Sequence, residues 1–423
     1  MSQSAQLPTS PAPSGRVHPG PAVTVVAVAT ATFSVVTTEM LPVGLLTSIG
    51  SGLRVSDGTA GLAVTLPGLV AALAALLLPV TVRRADRRTV LCALMALLAA
   101  ANLASALAPA FGVLLVARVL VGVCIGGVWA IAAGLGVRLV REEAAAGRAT
   151  AVIFSGIAVA SVLGVPAGTL LGELAGRRWV FAALATLSLA VAALLATVLP
   201  ALPAGEAVRI GAFARLLRIG RLRAGLLAVT LLVTGHFAAY TYVRPVLERV
   251  PGIGAGLVSG LLLAYGTAGV AGNFAGGAVA ARDPRRALLA LCAGLGAVVL
   301  LLVPAGGSLV ASAALLVAWG LAYGGVSVSA QNWVMAAAPH DREAASALFA
   351  AVFNVAIALG AFAGGRVADS RGADDVLWLG GGLAVLALIA VVCAKPVALA
   401  YAKGAATGER RPPPLGRTRG GHR

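Results

Sequence analysis

Twelve apolar runs, each about 20 residues long, constrain this chain more than any other feature. They fall near 22–46, 58–82, 89–108, 111–136, 148–171, 179–200, 224–246, 255–280, 287–306, 308–333, 344–366 and 375–394. A helix of that length crosses the hydrocarbon core of a bilayer, roughly 30 Å, at 1.5 Å rise per residue. Only helices and closed barrels satisfy their backbone polar groups there. Composition points the same way, with 59% of residues apolar and 11% charged, against about 25% charged in a soluble domain. The expected fold class is all-α and integral to a membrane, with twelve transmembrane helices packed through their many Gly and Ala residues.

The net charge is +17, from 32 Lys and Arg against 15 Asp and Glu. In a soluble protein that balance would point to nucleic acid. Here the basic residues gather in short loops without interleaved aromatics, which is how membrane topology is written, and no nucleic-acid partner is expected. Alternate loops and the termini hold 24 Lys and Arg on one side and seven on the other, with Arg118 left inside a span. Both termini are therefore expected to be cytoplasmic.

The longest internal connection divides six spans from six. The expected organisation is a disordered N-terminal tail (1–21), a first six-helix bundle (22–200), a basic cytoplasmic linker (201–223), a second bundle (224–395) and a basic tail (396–423). In the linker, Ile210, Phe213 and Leu217 share one helical face and Arg215, Arg218 and Arg221 another. It either lies along the membrane surface or simply fixes topology. The two halves echo each other: Ala85-Asp86-Arg87-Arg88 follows the second run, and Asp283-Pro284-Arg285-Arg286 follows the eighth. The fifth run carries Gly164-Val165-Pro166-Ala167-Gly168, and the eleventh carries Gly360-Ala361-Phe362-Ala363-Gly364-Gly365. A repeated six-span unit marks a secondary transporter whose site lies between pseudo-symmetric halves near the midplane.

Two charged residues lie deep within the runs, well away from their ends. Glu39, in Thr37-Thr38-Glu39-Met40-Leu41-Pro42, is the one carboxylate away from the ends of the runs, and Arg118 lies at a similar depth in the fourth. A carboxylate in hydrocarbon costs about 2.5 to 3.5 kcal/mol even on lenient scales, and protonation removes that cost. Glu39 is thus a candidate proton carrier. Arg118 cannot neutralise itself: it either couples to Glu39, directly or through water, making proton uptake depend on conformation, or caps backbone carbonyls to hold helices together.

At these residues the chain resembles the major facilitator superfamily, and within it the twelve-span drug:proton antiporters of the sugar-efflux and chloramphenicol-resistance type. The likeness covers about residues 22–395. Thr38 to Leu46 is similar to that branch's first-helix signature, Arg118 with Gly122 matches its R-x-x-x-G motif, and Gly164 to Gly168 with Pro166 matches its antiporter motif. Gly176-Arg177-Arg178-Trp179-Val180-Phe181 resembles G-W-R-x-x-F, with Arg at the first Trp. The loop motif departs from the family: aligned on Arg87 and Arg88, Pro79 stands where Gly is usual and Arg83 where Asp is usual, with Asp86 displaced by three positions. The second copy keeps Gly277 but has Ala281 at the acidic place.

The resemblance implies the major facilitator fold, two six-helix bundles rocking about a central cavity. It implies Gly122, Gly164, Pro166, Gly168, Asp86, Arg87 and Arg88 as conformational positions, and export rather than import. The expected function is export of small amphipathic, drug-like molecules in exchange for protons, or alternatively proton-coupled efflux of a sugar or specific metabolite. No cofactor beyond the proton gradient is expected, and a monomer in the cell membrane. His18, His236, His340 and His422 are scattered, and no metal box or nucleophile motif points to an enzyme. The four Cys all lie inside apolar runs. Cavity candidates are His236, Phe237 and Tyr240 on one face of the seventh run, with Asn354, Trp129 and Asn102.

Overall fold

A chain buried in hydrocarbon has to close its backbone hydrogen bonds within each segment. In the computed structural model, which describes residues 21–82, 85–139, 149, 152–153, 155–157, 159–202, 210–305, 307–339 and 341–394, helices do this, and no strand occurs among the described residues. Twelve helices are long and apolar enough to cross a membrane. They are α1 (Pro21–Gly44), α2 (Leu62–Thr81), α3 (Arg87–Leu107), α4 (Phe111–Leu139), α5 (Val165–Ala175, entered through a π-helical turn at Ala160–Gly164) and α6 (Arg177–Val198). The second six are α7 (Gly220–Tyr240), α8 (Ala255–Arg282), α9 (Pro284–Ala305), α10 (Leu309–Gly324, continued by Val326–Ala337), α11 (Arg342–Arg371) and α12 (Asp375–Cys393). Val116, Leu174, Phe274 and Val310 are 65–79% exposed, an apolar outer surface suited to lipid rather than water.

The pseudo-repeat extends to individual hydrogen bonds. The Asp86 carboxylate caps α3, accepting from Arg88 N at 2.7 Å, and Asp283 does the same for α9, accepting from Arg285 N at 3.0 Å. In each half the Arg two residues after the Asp reaches the end of the half's last helix. Arg88 donates to Ala196 O on α6, and Arg285 Nη2 donates to Val392 O on α12 at 2.8 Å. A cation there satisfies carbonyls that a helix C-terminus leaves orphaned. Asp86 further accepts from Leu202 N at 3.1 Å, so Asp86 and Arg88 both tie their loop to the end of α6 within one half. Arg87 joins the same tie through its backbone N–H, which donates to Leu202 O at 2.9 Å.

The halves meet where α2 packs on α11 and where α8 packs on α5 and its π-helical turn. Polar contacts between them gather at the end that carries the α1–α2 connection. There Asp369 of α11 accepts from Gly58 N at 3.0 Å and from Ser56 Oγ at 2.9 Å, capping the chain just before α2. Arg244, in the short helix Val243–Leu247 after α7, donates to Gly44 O of α1 at 2.5 Å and pairs with Glu173 of α5 at 3.3 Å and Glu248 at 2.7 Å.

Three details differ from the sequence reading. Helix α5 runs to Ala175 and α11 to Arg371, which brings Glu173 and Asp369 into helices as further acids beside Glu39. Their carboxylates are tolerated because they lie near helix ends and are hydrogen-bonded or paired with Arg244. The seventh span stops at Tyr240 before the Val243–Leu247 helix. In the linker, the helix Ile210–Leu216 packs through Ala212 and Leu216, leaving Leu217 46% exposed beyond its end. The tails, Arg83 and Arg84 and much of the linker's first half lie outside the described residues, as do His18, His340 and His422.

Candidate functional site

Pro42 lies inside α1 and has no N–H. The carbonyl four residues earlier, that of Thr38, is therefore left without its helical partner. Arg118 Nη1 donates to this carbonyl at 3.0 Å, and Nη2 donates to Ser105 Oγ at 3.1 Å. The Ser105 hydroxyl in turn donates to Ala101 O at 2.8 Å, so it is free to accept. Asn102 Nδ2 donates to Thr38 Oγ1 at 3.1 Å, and the Arg118 guanidinium carbon lies 5.0 Å from the centroid of the Phe181 ring. Four helices, α1, α3, α4 and α6, are thus fastened at one residue next to Glu39. Of the two roles open to Arg118, this conformation shows the carbonyl cap.

Glu39 itself is 6% exposed and has no hydrogen bond or ion pair among the described residues. Small residues set the helices around it. A Cβ at Gly164 would overlap Thr37 Oγ1, one at Gly168 would meet Leu41 and one at Gly172 Leu45, so α5 lies against α1 along a four-residue stripe. Pro166 is buried at the start of α5, directly after the π-helical turn, where the backbone departs from the regular α-helical hydrogen-bond ladder. At Gly122 a Cβ would run into Pro67 O and Val70 Cβ, so the Arg118-x-x-x-Gly122 face sits against α2.

Across from this cluster, α7, α8 and α10 contribute a column of stacked rings. Tyr265 and Tyr240 have centroids 4.7 Å apart, Tyr240 and His236 5.0 Å, and His236 and Tyr323 3.3 Å, with interplanar angles of 25°, 18° and 5°. Trp319 lies edge-on to His236, Tyr240 and Tyr265, and Phe237 lies edge-on to His236, Tyr240 and Tyr323. Trp319 Nε1–H donates to His236 Nδ1 at 3.0 Å, which fixes the imidazole plane and leaves Nε2 as its donor nitrogen when neutral. Glu39 of the first half lies within electrostatic reach of Tyr323 in the column of the second.

Of the sequence candidates, His236, Phe237 and Tyr240 come together in the column, whereas Asn102 and Arg118 join at Thr38. Asn354 is 5% exposed on α11; its Nδ2 donates to Ala350 O at 2.9 Å and its Oδ1 has no partner. Trp129 is half-buried and packs on the core of the first half. Tyr265, Trp319, Tyr323, Ser105 and Asp369 were not read from the sequence. The available signal was in α10, where Trp319 and Tyr323 are four apart, the same spacing as His236 and Tyr240. Among the described residues no cluster of three or more His, Cys, Asp or Glu could hold a metal ion.

Twelve spans in two repeated halves, with a buried acid between them, define a membrane transporter rather than an enzyme. The chain matches the Major Facilitator Superfamily over residues 28–361, and it belongs to that family. It is 33% identical over 353 residues to the purine ribonucleoside efflux pump NepI of Escherichia coli, covering 84% of this chain and 89% of that protein. It is 35% identical over 353 residues to a Pseudomonas aeruginosa protein named transcription regulatory protein OpdE, covering 82% and 87%. Among solved structures, a bacterial homolog of the human lysosomal transporter Spinster superposes with a TM-score of 0.67 at 16% identity, covering 88% of this chain and 95% of that one. The human organic anion transporter MFSD10 (TETRAN) superposes with a TM-score of 0.62 at 18% identity, covering 88% and 99%. These structures share the fold.

Proposed function

We propose that the chain exports small molecules built on a flat aromatic ring, of the purine-nucleoside kind, in exchange for protons, with Glu39 as the proton carrier. The observation that carries this reading is Glu39, a buried acid with no hydrogen bond or ion pair among the described residues, within electrostatic reach of the ring column's Tyr323. Arg118 makes no ion pair with it here; its Nη donors go to Thr38 and Ser105. Such an acid is accommodated by taking up a proton, and releases it when a polar group or water reaches it.

The substrate class is supported by the six packed aromatic side chains and by the name of the purine ribonucleoside relative. Export is supported by that name and by the Gly164 to Gly168 motif with Pro166. A nucleoside is a specific metabolite; a broader range of amphipathic drugs would require walls that discriminate only by size, at about 1 to 3 kcal/mol per methylene. In this reading the bundles 22–200 and 224–395 rock about the site as a monomer. The termini are cytoplasmic, so the end tied by Asp369 and Arg244 is outermost and the described conformation is closed on that side.

Inverted vesicles with an imposed pH gradient test this. Radiolabelled adenosine should accumulate, and an uncoupler should abolish the accumulation. Facilitated flux indifferent to the gradient would remove the proton from the mechanism, and flux of hydrophobic dyes without adenosine would move the substrate class to drugs.

A further inference from the structure

We propose that the face of Tyr323 turned away from His236 is the platform on which the substrate's flat ring stacks; this rests on the transport reading above and names the contact that selects the substrate. The column ends at Tyr323, its least buried stacked ring. Tyr265, Tyr240 and His236 are each at most 8% exposed, whereas Tyr323 is only half-buried. One face of Tyr323 is covered by His236, Phe237 meets it at right angles, and no other ring stacks on it among the described residues.

The exposed part of Tyr323 opens to the interior rather than to lipid. On α10 the outward residues are Val317 and Leu321, 41% and 49% exposed. Tyr323 is two residues beyond Leu321, roughly 200° around the helix, and one turn beyond the fully buried Trp319. It therefore lies on the inward face. Glu39 of the opposite half is within electrostatic reach of its phenol.

A rigid stack ending in a half-buried ring suits one kind of occupant, a planar aromatic system that adds the next layer. Trp319 and Phe237 brace the rings edge-on, so little ordering is left for the ligand to impose. An occupant bearing an amino or hydroxyl donor on its edge, as a purine ribonucleoside does, would present it to Glu39. A carboxylate that accepts such a hydrogen bond favours its charged form, so docking on Tyr323 expels the proton that Glu39 holds. The same contact then supplies both selection and exchange.

The test is equilibrium binding to the full chain in detergent with two probes, adenosine and the flat dye proflavine, which has no sugar. Tyr323→Leu removes the π face and should weaken both by about 5- to 100-fold, in line with a lost base–aromatic stack. Tyr323→Phe keeps the face and should leave both close to wild type. If Tyr323→Leu loses its thermal unfolding transition, Tyr323→Met takes its place. Proflavine binding that depends on the ring at 323, without adenosine binding, supports the platform and removes the nucleoside reading. Adenosine binding equal in wild type, Phe and aliphatic variants overturns the platform and leaves the nucleoside reading in place. Binding of neither probe to the wild type also overturns the platform.

Discussion

Pro42 and Arg118 form a matched pair: one creates an orphan carbonyl on Thr38, the other fills it. Arg118→Ala should destabilise the protein by about 1 to 3 kcal/mol, the cost of an unsatisfied buried acceptor, seen as a lowered thermal midpoint in detergent. Arg118→Lys should recover only part, since an ammonium does not reproduce the fork that reaches both Thr38 O and Ser105 Oγ. The pairing itself is tested by a double-mutant cycle. In a Pro42→Ala background residue 42 regains an N–H for Thr38, so Arg118→Ala should cost less there, with a coupling of about 1 kcal/mol. Additive effects would contradict the match. Both roles of Arg118 were open in the sequence, because a buried guanidinium announces that it needs acceptors without saying which. The choice depended on Pro42 four residues beyond Thr38 and on Ser105 from another helix.

At the scale of the helices, small residues decide how closely elements approach. Gly122→Ala would press a methyl into Pro67 O and Val70, a backbone and a branched carbon that cannot give, and should lower stability by about 1 to 3 kcal/mol. It should also reduce transport, because it displaces the helix that carries Arg118. Gly382→Ala on α12 meets nothing within 4 Å and should be neutral or mildly stabilising. Equal effects from both would count against packing as the reason for Gly122. The twelve spans were legible because a 20-residue apolar run leaves a bilayer few alternatives. Their ends were less so, as at Glu173 and Asp369, where charged residues continue a helix by finding partners in the other half. The aromatic column was half legible. His236, Phe237 and Tyr240 share a face within one helix, but Tyr265, Trp319 and Tyr323 arrive from two others, and no local spacing links them.

For the whole molecule, the proposed transport requires contacts between the two halves that can part at one end. Ties from Asp369 and Arg244 join the halves at one end. Asp369→Ala should release the Gly58 amide and Ser56 hydroxyl, and backbone hydrogen exchange over residues 56–60 should speed about tenfold or more, as expected for the loss of a charge-assisted bond. Unchanged protection would mean that other contacts keep that end closed. The claim on which the rest depends is that Glu39 gives up a proton when substrate arrives. The direct measurement is proton release on adding adenosine to the purified protein in weakly buffered detergent, followed with a pH-sensitive dye, for wild type and Glu39→Gln. Proton release by the wild type, and none by Glu39→Gln although it still binds adenosine, is the predicted result. Equal release by both proteins would contradict it.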